Sequence, residues 1–250
     1  MPTVLESALA TPVLWPVQHG KLGNLQSRLL DQNDVAAVIR LRDEVLAGLD
    51  NPDMYVREDD ENGFVRTHIG SGDDDCYGRT IGVFDQNRLV AYAMLGLPTA
   101  DDPDNLGHFF SPSLVSPERT AHLTSCMVLE PYRGRHLQRM LLVARVALAQ
   151  AYGRDFCVAM VSLHNHASRH NLLREGLRIG WVGEIDGLRR QLMAARPGQD
   201  WAFDRRTLRL VSGLDWRRQG QLTRQGWWGI NVHQQGQTRK NLVFARLAEL

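Results

Sequence analysis

Cysteine is scarce in this chain: Cys76, Cys126 and Cys157 are three in 250 residues. An odd number with no close C-x-x-C pair argues against a disulfide framework or a zinc knuckle and fits a reducing compartment. An excess of charge of either sign is also lacking. A formal net charge of +1 gives no reason to expect nucleic acid or a membrane surface as partner, so partners have to be argued from sites. No apolar run approaches the length of a membrane span, and Pro2, Pro12 and Pro16 interrupt an N-terminus without a basic start. Neither a signal peptide nor a membrane anchor is therefore expected, and a cytoplasmic location is. What is present is a 43% hydrophobic chain long enough to bury a sizeable core, for which one domain plus an elaboration is the default.

Punctuation by Pro, Gly, Asn and Asp divides the chain. Residues 1–24 read as an extended arm, with no periodicity lasting a full turn. Residues 25–30 read as a strand, and Asn33 or Asp34 as the cap of a helix whose apolar face is Val35, Val38, Ile39, Leu41, Val45, Leu46 and Leu49. Residues 50–75 are turn-rich, with a short helix expected over 58–68. Strands over 80–84 and 88–97 flank Asp85-Gln86-Asn87, a hairpin signal. Loop composition returns over 98–117. A strand over 119–129, a strong helix over 135–152 and a buried strand over 156–161 then form one unit. Leu137, Leu141, Ala144, Leu148 and Ala151 give that helix its packing stripe, with Arg139, Arg145 and Gln150 off it. A second helix over 166–175 ends at Gly176, and strands follow over 178–185 and 187–194. Pro197-Gly198 marks a boundary. The tail, 197–250, carries a strand over 207–211, a short helix over 215–224 and an apolar run over 242–247. It is too short for its own core, so docking on the main sheet of 25–196 is expected. Trp227-Trp228 suits either an interface or a cover for that sheet.

The informative stretch is V-L-E-P-Y-R-G-R-H-L-Q, residues 128–138, joining an apolar strand to an amphipathic helix. The first N–H groups of a helix lack partners within it and sit at the positive end of its dipole, which makes such a junction an anion site. Gly134 lets the backbone approach closely, and Arg133 adds positive charge. The plain alternative is a tight turn with solvated arginines.

A second stretch decides between the two. In S-L-H-N-H-A-S-R-H-N-L-L-R-E-G-L, residues 162–177, an Asn ends a strand, a small residue follows three positions on, and a Gly followed by an apolar residue ends the helix. Together the two stretches resemble the GNAT N-acetyltransferase superfamily, over 25–192 and most strongly over 122–179. The resemblance implies an α/β (α+β) fold with a central mixed, mostly antiparallel sheet, two splayed strands and flanking helices, here with a C-terminal extension. It implies acetyl-CoA as co-substrate and no metal. Backbone at Met127, Val128 and Leu129 would meet pantetheine, and Arg133, Gly134, Arg135, His136, Leu137 and Gln138 the pyrophosphate. Asn165 and Ser168 would meet the cofactor from the neighbouring strand.

Departures from the family pattern bear on chemistry more than on fold. His136 and Gln138 stand where Gly or Ala is usual, and the Cβ of His136 asks for a different loop path. Leu172 stands where many relatives have the tyrosine that protonates the leaving thiolate, and Thr124 where an acid often draws the amine's proton. By alternation His122, Thr124 and Cys126 share one strand face, and Leu123, Ser125 and Met127 the other. That makes His122 the best general-base candidate, its ordinary pKa of about 6.5 suiting neutral pH, against a structural histidine bonded in the sheet. Glu118 is a weaker candidate. Tyr55, Glu58 and Thr124 are candidate acceptor-pocket residues.

Cys126 reads as a small core residue rather than a nucleophile. His164-x-His166 lacks a third metal ligand at convincing spacing, Asp73-Asp74-Asp75 lacks the spaced ligands of a calcium loop, and the tail arginines Arg205, Arg206, Arg209, Arg217 and Arg218 read as a solvated face. The expected activity is acetyl transfer from acetyl-CoA to a small-molecule or peptide amine, with another acyl donor or a non-catalytic acyl-CoA sensor as the competing readings. Nucleic acid and membrane are not expected as partners. A homodimer through the tail or an edge strand stays open.

Overall fold

The computed structural model describes residues 13–14, 25–49, 51–55, 58–70, 77–235 and 239–248. Most of the expected N-terminal arm, the Asp73-Asp74-Asp75 run and Cys76 lie outside the described residues. The chain divides into two compact units, the first from 1–50, 56–98 and 121–154, the second from 51–55, 99–120 and 155–250.

In the first unit five antiparallel strands run in the order β1 to β5: Val13–Leu14, Leu25–Leu29, Gly78–Asp85, Arg88–Gly96 and Thr120–Val128. The hairpin between β3 and β4 turns at Gln86 and Asn87, with Gln86 in the left-handed region at φ 54°. Helix α1, Val35–Ala47, starts directly after Asp34, one of the two cap positions expected from the sequence, although the Asp34 side chain makes no cap bond to it. Asp31 accepts from Asn33 N–H while Asp34 accepts from Asp31 N–H, and Arg28 grips Asp34 with both guanidinium nitrogens at 2.7 Å. These bonds satisfy N–H groups that a helix start leaves without partners. Helix α2, Glu61–Ile69, is capped by Asp60 and ends at Gly70.

Helix α3, Leu137–Ala151, buries Leu137, Leu141, Leu142 and Leu148 as its stripe predicts. It also buries Arg145, which the periodicity places off that stripe. The correction has a polar cause. The Arg145 guanidinium donates to the carbonyls of Met94 on β4 and Thr124 on β5, at 3.0 and 3.2 Å. A long stem in apolar surroundings is compatible with burial when the head finds carbonyls.

The second unit carries β6, Phe156–Ser162; β7, Arg178–Ile185; β8, Leu188–Ala195; β9, Phe203–Ser212; β10, Trp227–Gln235; and β11, Arg239–Leu247. They run in the order β6-β8-β7-β10-β11-β9, each pair antiparallel. Helix α4, His166–Arg174, follows β6, and helix α5, Trp216–Arg224, follows β9. The tail thus continues this sheet through β10 beside β7. Strand β10 is absent from the sequence reading. Its Trp228 is buried in a core with Phe110, Phe156, Val158 and Leu192, and stacks on Phe110 at 6.0 Å. Gly180 makes room for it: a Cβ there would lie 2.3 Å from the Trp228 ring.

This unit contains an internal repeat that the sequence does not announce. Strand-helix-strand-strand β6-α4-β7-β8 has the spatial strand order β6-β8-β7, and β9-α5-β10-β11 has β9-β11-β10. Asn165 caps α4 and Asp215 caps α5, each accepting from the N–H three residues on at 3.0 Å. Gly176 and Gly226 follow the two helices with positive φ. The hairpins are bulged at matching places, between Ile179 and Trp181 and between Gly229 and Asn231. Ile179 and Gly229, equivalent in the two copies, pair with each other across the junction of β7 and β10, the relation a local two-fold axis produces.

Candidate functional site

Strand β5 leads to the turn singled out from the sequence, all within the first unit. Leu129 N–H donates to Val90 O on β4 at 3.0 Å. By the alternation of an antiparallel edge, the backbone groups of Val128 then face away from β4. Glu130–Tyr132 form a short 3-10 turn, Arg133 is extended, and Gly134 and His136 take φ of 75° and 62° before α3 begins. His136 thus adopts the glycine-like conformation in spite of its Cβ, a position that costs an L-residue about 1 kcal/mol or more. The N-cap His136 makes no side-chain cap bond to α3, and among the described residues, the chain neighbours aside, no atom lies within 4 Å of where a Gly134 Cβ would be. The helix start is therefore open to a ligand on that side.

The turn is tethered on its flanks. Tyr132 OH donates to Asp85 at 2.7 Å, which raises the phenol's pKa because the hydrogen-bonded carboxylate favours the protonated form. The Arg135 guanidinium lies 5.7 Å from the Tyr132 ring. Arg133 Nε donates to Val128 O at 3.1 Å, so this cation lies back along the strand end while remaining exposed.

Upstream on β5 the alternation fails. Ala93 faces Cys126 while Leu95 faces Leu123, so β5 carries an extra residue at Thr124-Ser125. Such a bulge flips the residues beyond it. Cys126 then shares a face with Leu123, and Met127 with His122, which corrects the grouping of His122 with Cys126. Tyr92 OH and Ser125 Oγ are 3.0 Å apart. Thr124 Oγ1 is buried without a hydrogen-bond partner among the described residues. Burial pushes the Cys126 thiol up despite the nearby Arg145, opposite to what a nucleophile needs.

His122 is 4% exposed and faces Gly96. A Cβ at Gly96 would meet His122 Cβ at 3.2 Å, His68 Nε2 at 3.6 Å and Tyr77 Cε1 at 3.7 Å. His68 from α2 is thus a neighbour that the sequence reading missed, hidden in a turn-rich segment. Its Nδ1 lies 2.9 Å from Phe64 O. A carbonyl only accepts, so Nδ1 carries the hydrogen. Burial, with Arg42 adding to it, lowers the His68 pKa against that bond and keeps the ring neutral with Nε2 as an acceptor. Glu58, also in this unit, is exposed, its N–H donating to Glu61.

The remaining predicted residues belong to the second unit. Glu118 is exposed in a 3-10 turn at Pro117–Arg119, and Tyr55 is half-buried. Asn165 Oδ1 and Ser168 N–H are bonded to each other as the cap of α4. Asn165 also lines a cavity of about 510 Å³, with Met54, Val232, His164, His166, His170 and Arg169 around it. Arg169 is 1% exposed and donates to Leu163 O, Gln191 Oε1 and His166 Nδ1. Burial alone pulls its pKa down to about 10. Among the described residues, no group of three or more His, Cys, Asp or Glu is placed to hold a metal, and no helix is long and apolar enough to cross a membrane.

Comparison with solved structures gives the fold its class. An N-acetyltransferase of Staphylococcus aureus superposes with a TM-score of 0.51 at 15% identity, over 70% of this chain and 99% of its own. YncA of Salmonella typhimurium, solved with acetyl-CoA, gives 0.52 at 18%, over 73% and 99%. A GNAT-family protein of Desulfovibrio desulfuricans gives 0.50 at 16%, over 70% and 99%. No protein-family model matches the sequence, and neither does any curated protein. The chain has the GNAT acyltransferase fold, an α/β structure whose mostly antiparallel sheet is flanked by helices.

Proposed function

We propose that this chain is an acetyl-CoA-dependent N-acetyltransferase acting on a small-molecule or peptide amine by direct attack. The observation that carries this reading is the start of α3, where the N-cap His136 makes no side-chain cap bond, open above Gly134 among the described residues and preceded by two left-handed residues at the end of a bulged strand. A pyrophosphate there would accept hydrogen bonds from first-turn N–H groups at the positive end of the helix, with Arg133 and Arg135 adding charge. The backbone of Met127 to Leu129, above all the edge groups of Val128, would align the pantetheine arm, whose amide would compete with Arg133 for the Val128 carbonyl.

The amine nitrogen then attacks the thioester carbonyl, the C–S bond breaks, and the amine's proton leaves to a base while the thiolate takes one up. His122 is the base candidate of this reading, with His68 Nε2 an acceptor beside it. Positioning and carbonyl polarisation alone lower such a barrier by several kcal/mol. Asn165 and Ser168 as cofactor residues, Tyr55 and Glu58 as acceptor residues, and Glu118 as an alternative base enter by resemblance. One observation favours a second reading, a non-catalytic acyl-CoA sensor: Leu172, where relatives carry an acid, is a buried core residue and protonates nothing.

Calorimetry with acetyl-CoA on the native chain, Arg133→Ala and Gly134→Glu tests the site, and thiol release across an amine panel separates enzyme from sensor. Binding weakened in both variants with thiol release in the native chain is expected. No binding by the native chain refutes both readings.

A further inference from the structure

The internal repeat supplies a control for the cavity beside α4. Arg169 and Gln219 occupy the same place in the two copies, each receiving the first backbone bond of its helix from below: Arg169 N–H donates to Asn165 O, and Gln219 N–H to Asp215 O. Both are buried, and Gln191 joins them, accepting from Arg169 and donating to Gln219 Oε1 at 2.6 Å. Each also secures the end of its preceding strand, Arg169 through Leu163 O and Gln219 through Ser212 O. A neutral amide therefore performs the structural task in one copy, and the charge at Arg169 is surplus to it.

That charge is uncompensated. No carboxylate among the described residues bonds to Arg169, its Nε has no partner there, and burial is the sole cause of its lowered pKa. A buried guanidinium without an anion is costly, so such groups are normally paired. Space for the anion distinguishes the copies as well. At α5, Gly220 closes onto β7, a Cβ there lying 2.7 Å from Val182 O. At α4 the equivalent residue is His170, and the 510 Å³ cavity opens toward Val232, the counterpart of Val182. No Asp or Glu among the described residues lines it, and the first turn of a nine-residue helix contributes its positive end.

We propose that this cavity is an oxyanion site, taking the carboxylate or phosphate group of a small molecule against Arg169 and the first turn of α4. The acetyl-CoA reading is carried by the turn of the first unit, while its cofactor residues Asn165 and Ser168, at the cap of α4 beside this cavity, enter that reading by resemblance alone. The shared chemistry has two sources, a free small acid and a phosphate ester of the acyl donor.

The test is a titration of the full chain with inorganic phosphate, and separately acetate, followed by the ring resonances of His164, His166 and His170. Saturable shifts are expected in the native chain. Arg169→Met should weaken the apparent affinity by about tenfold or more, the loss of one charge-assisted contact. Ala167→Asp keeps the test independent of that buried substitution: Ala167 is exposed in the first turn of α4, where an acidic residue suits the helix dipole. It should fold normally and lose the shifts. Shifts that fail to saturate, or that both variants retain, overturn the proposal and leave an adventitious ion only. In Gly134→Glu, which carries the acetyl-CoA test, the shifts should persist. If CoA displaces phosphate from the native chain, the donor's phosphate is the source; if both bind together, it is a free acid.

Discussion

Gly134 separates the backbone requirement of the turn from its ligand requirement. Among the described residues, the chain neighbours aside, nothing lies within 4 Å of a Cβ at this position, so Gly134→Ala meets no steric contact there and its cost is that of the φ of 75°. That cost is about 1 kcal/mol, or a fall of about 2–4 °C in Tm for a chain of this size. Gly134→Glu pays the same backbone cost and adds a carboxylate where the pyrophosphate is proposed to sit. Two like charges about 4 Å apart at an effective dielectric of about 20 repel by about 4 kcal/mol. Halving this for an exposed turn leaves about 2 kcal/mol, a loss of about thirtyfold in affinity. Thermal melts and acetyl-CoA calorimetry on both variants read the two effects separately. Equal Tm losses with a wide gap in Kd, narrowing as salt rises, are expected. If Gly134→Glu binds as tightly as Gly134→Ala, the phosphate does not lie at this turn.

Elsewhere three perturbations follow from contacts already described. Gly180→Ala drives a methyl to 2.3 Å from the Trp228 ring and 2.6 Å from Phe110, an overpacking that costs about 1–3 kcal/mol; an unchanged urea midpoint would contradict the packing. Arg145→Met leaves the carbonyls of Met94 and Thr124 without this donor, at about 1–3 kcal/mol for the buried groups together, and denaturant unfolding should show it. His68 has a lowered pKa in the folded chain, so the unfolded chain binds its proton first as pH falls. Its share of stability is complete above about pH 6.5 and is lost progressively below it. The fall in Tm from pH 7 to 5 should shrink in His68→Gln, and an unchanged profile would place the titration elsewhere.

The parts legible in the sequence are those where local chemistry and tertiary need agree. The hairpin at Gln86 and Asn87, the stripe of α3 and the helix end at Gly176 each declare themselves through residue types that suit one backbone geometry. Arg145 did not, because helical periodicity counts charge as an outward vote and knows nothing of carbonyls across the packing layer. Strand β10 was missed for a related reason: Trp227-Trp228-Gly229 breaks alternation where the strand is bulged. The repeat is faint in the sequence: at an offset of 50 residues Ser162, Leu172, Arg174, Gly176 and Val182 recur as Ser212, Leu222, Arg224, Gly226 and Val232, while most positions between them differ.

The bulge in β5 shows the same limit where it matters most. Strict alternation put His122, Thr124 and Cys126 on one face and made one candidate site of them. One extra residue at Thr124-Ser125 sends Cys126 to the other face and leaves His122 with Gly96, His68 and Tyr77 instead. A signal was present: two hydroxyl residues, Thr124 and Ser125, stand side by side in mid-strand, where alternation would set one of them against a buried face. Ser125 finds Tyr92, while Thr124 keeps a buried hydroxyl without a partner among the described residues. A polar pair that no period of two accommodates is what an extra strand residue looks like before the fold is known. The general-base candidate is therefore read against Gly96 across the strand pair, with His68 of α2 on the same side, and not against Cys126.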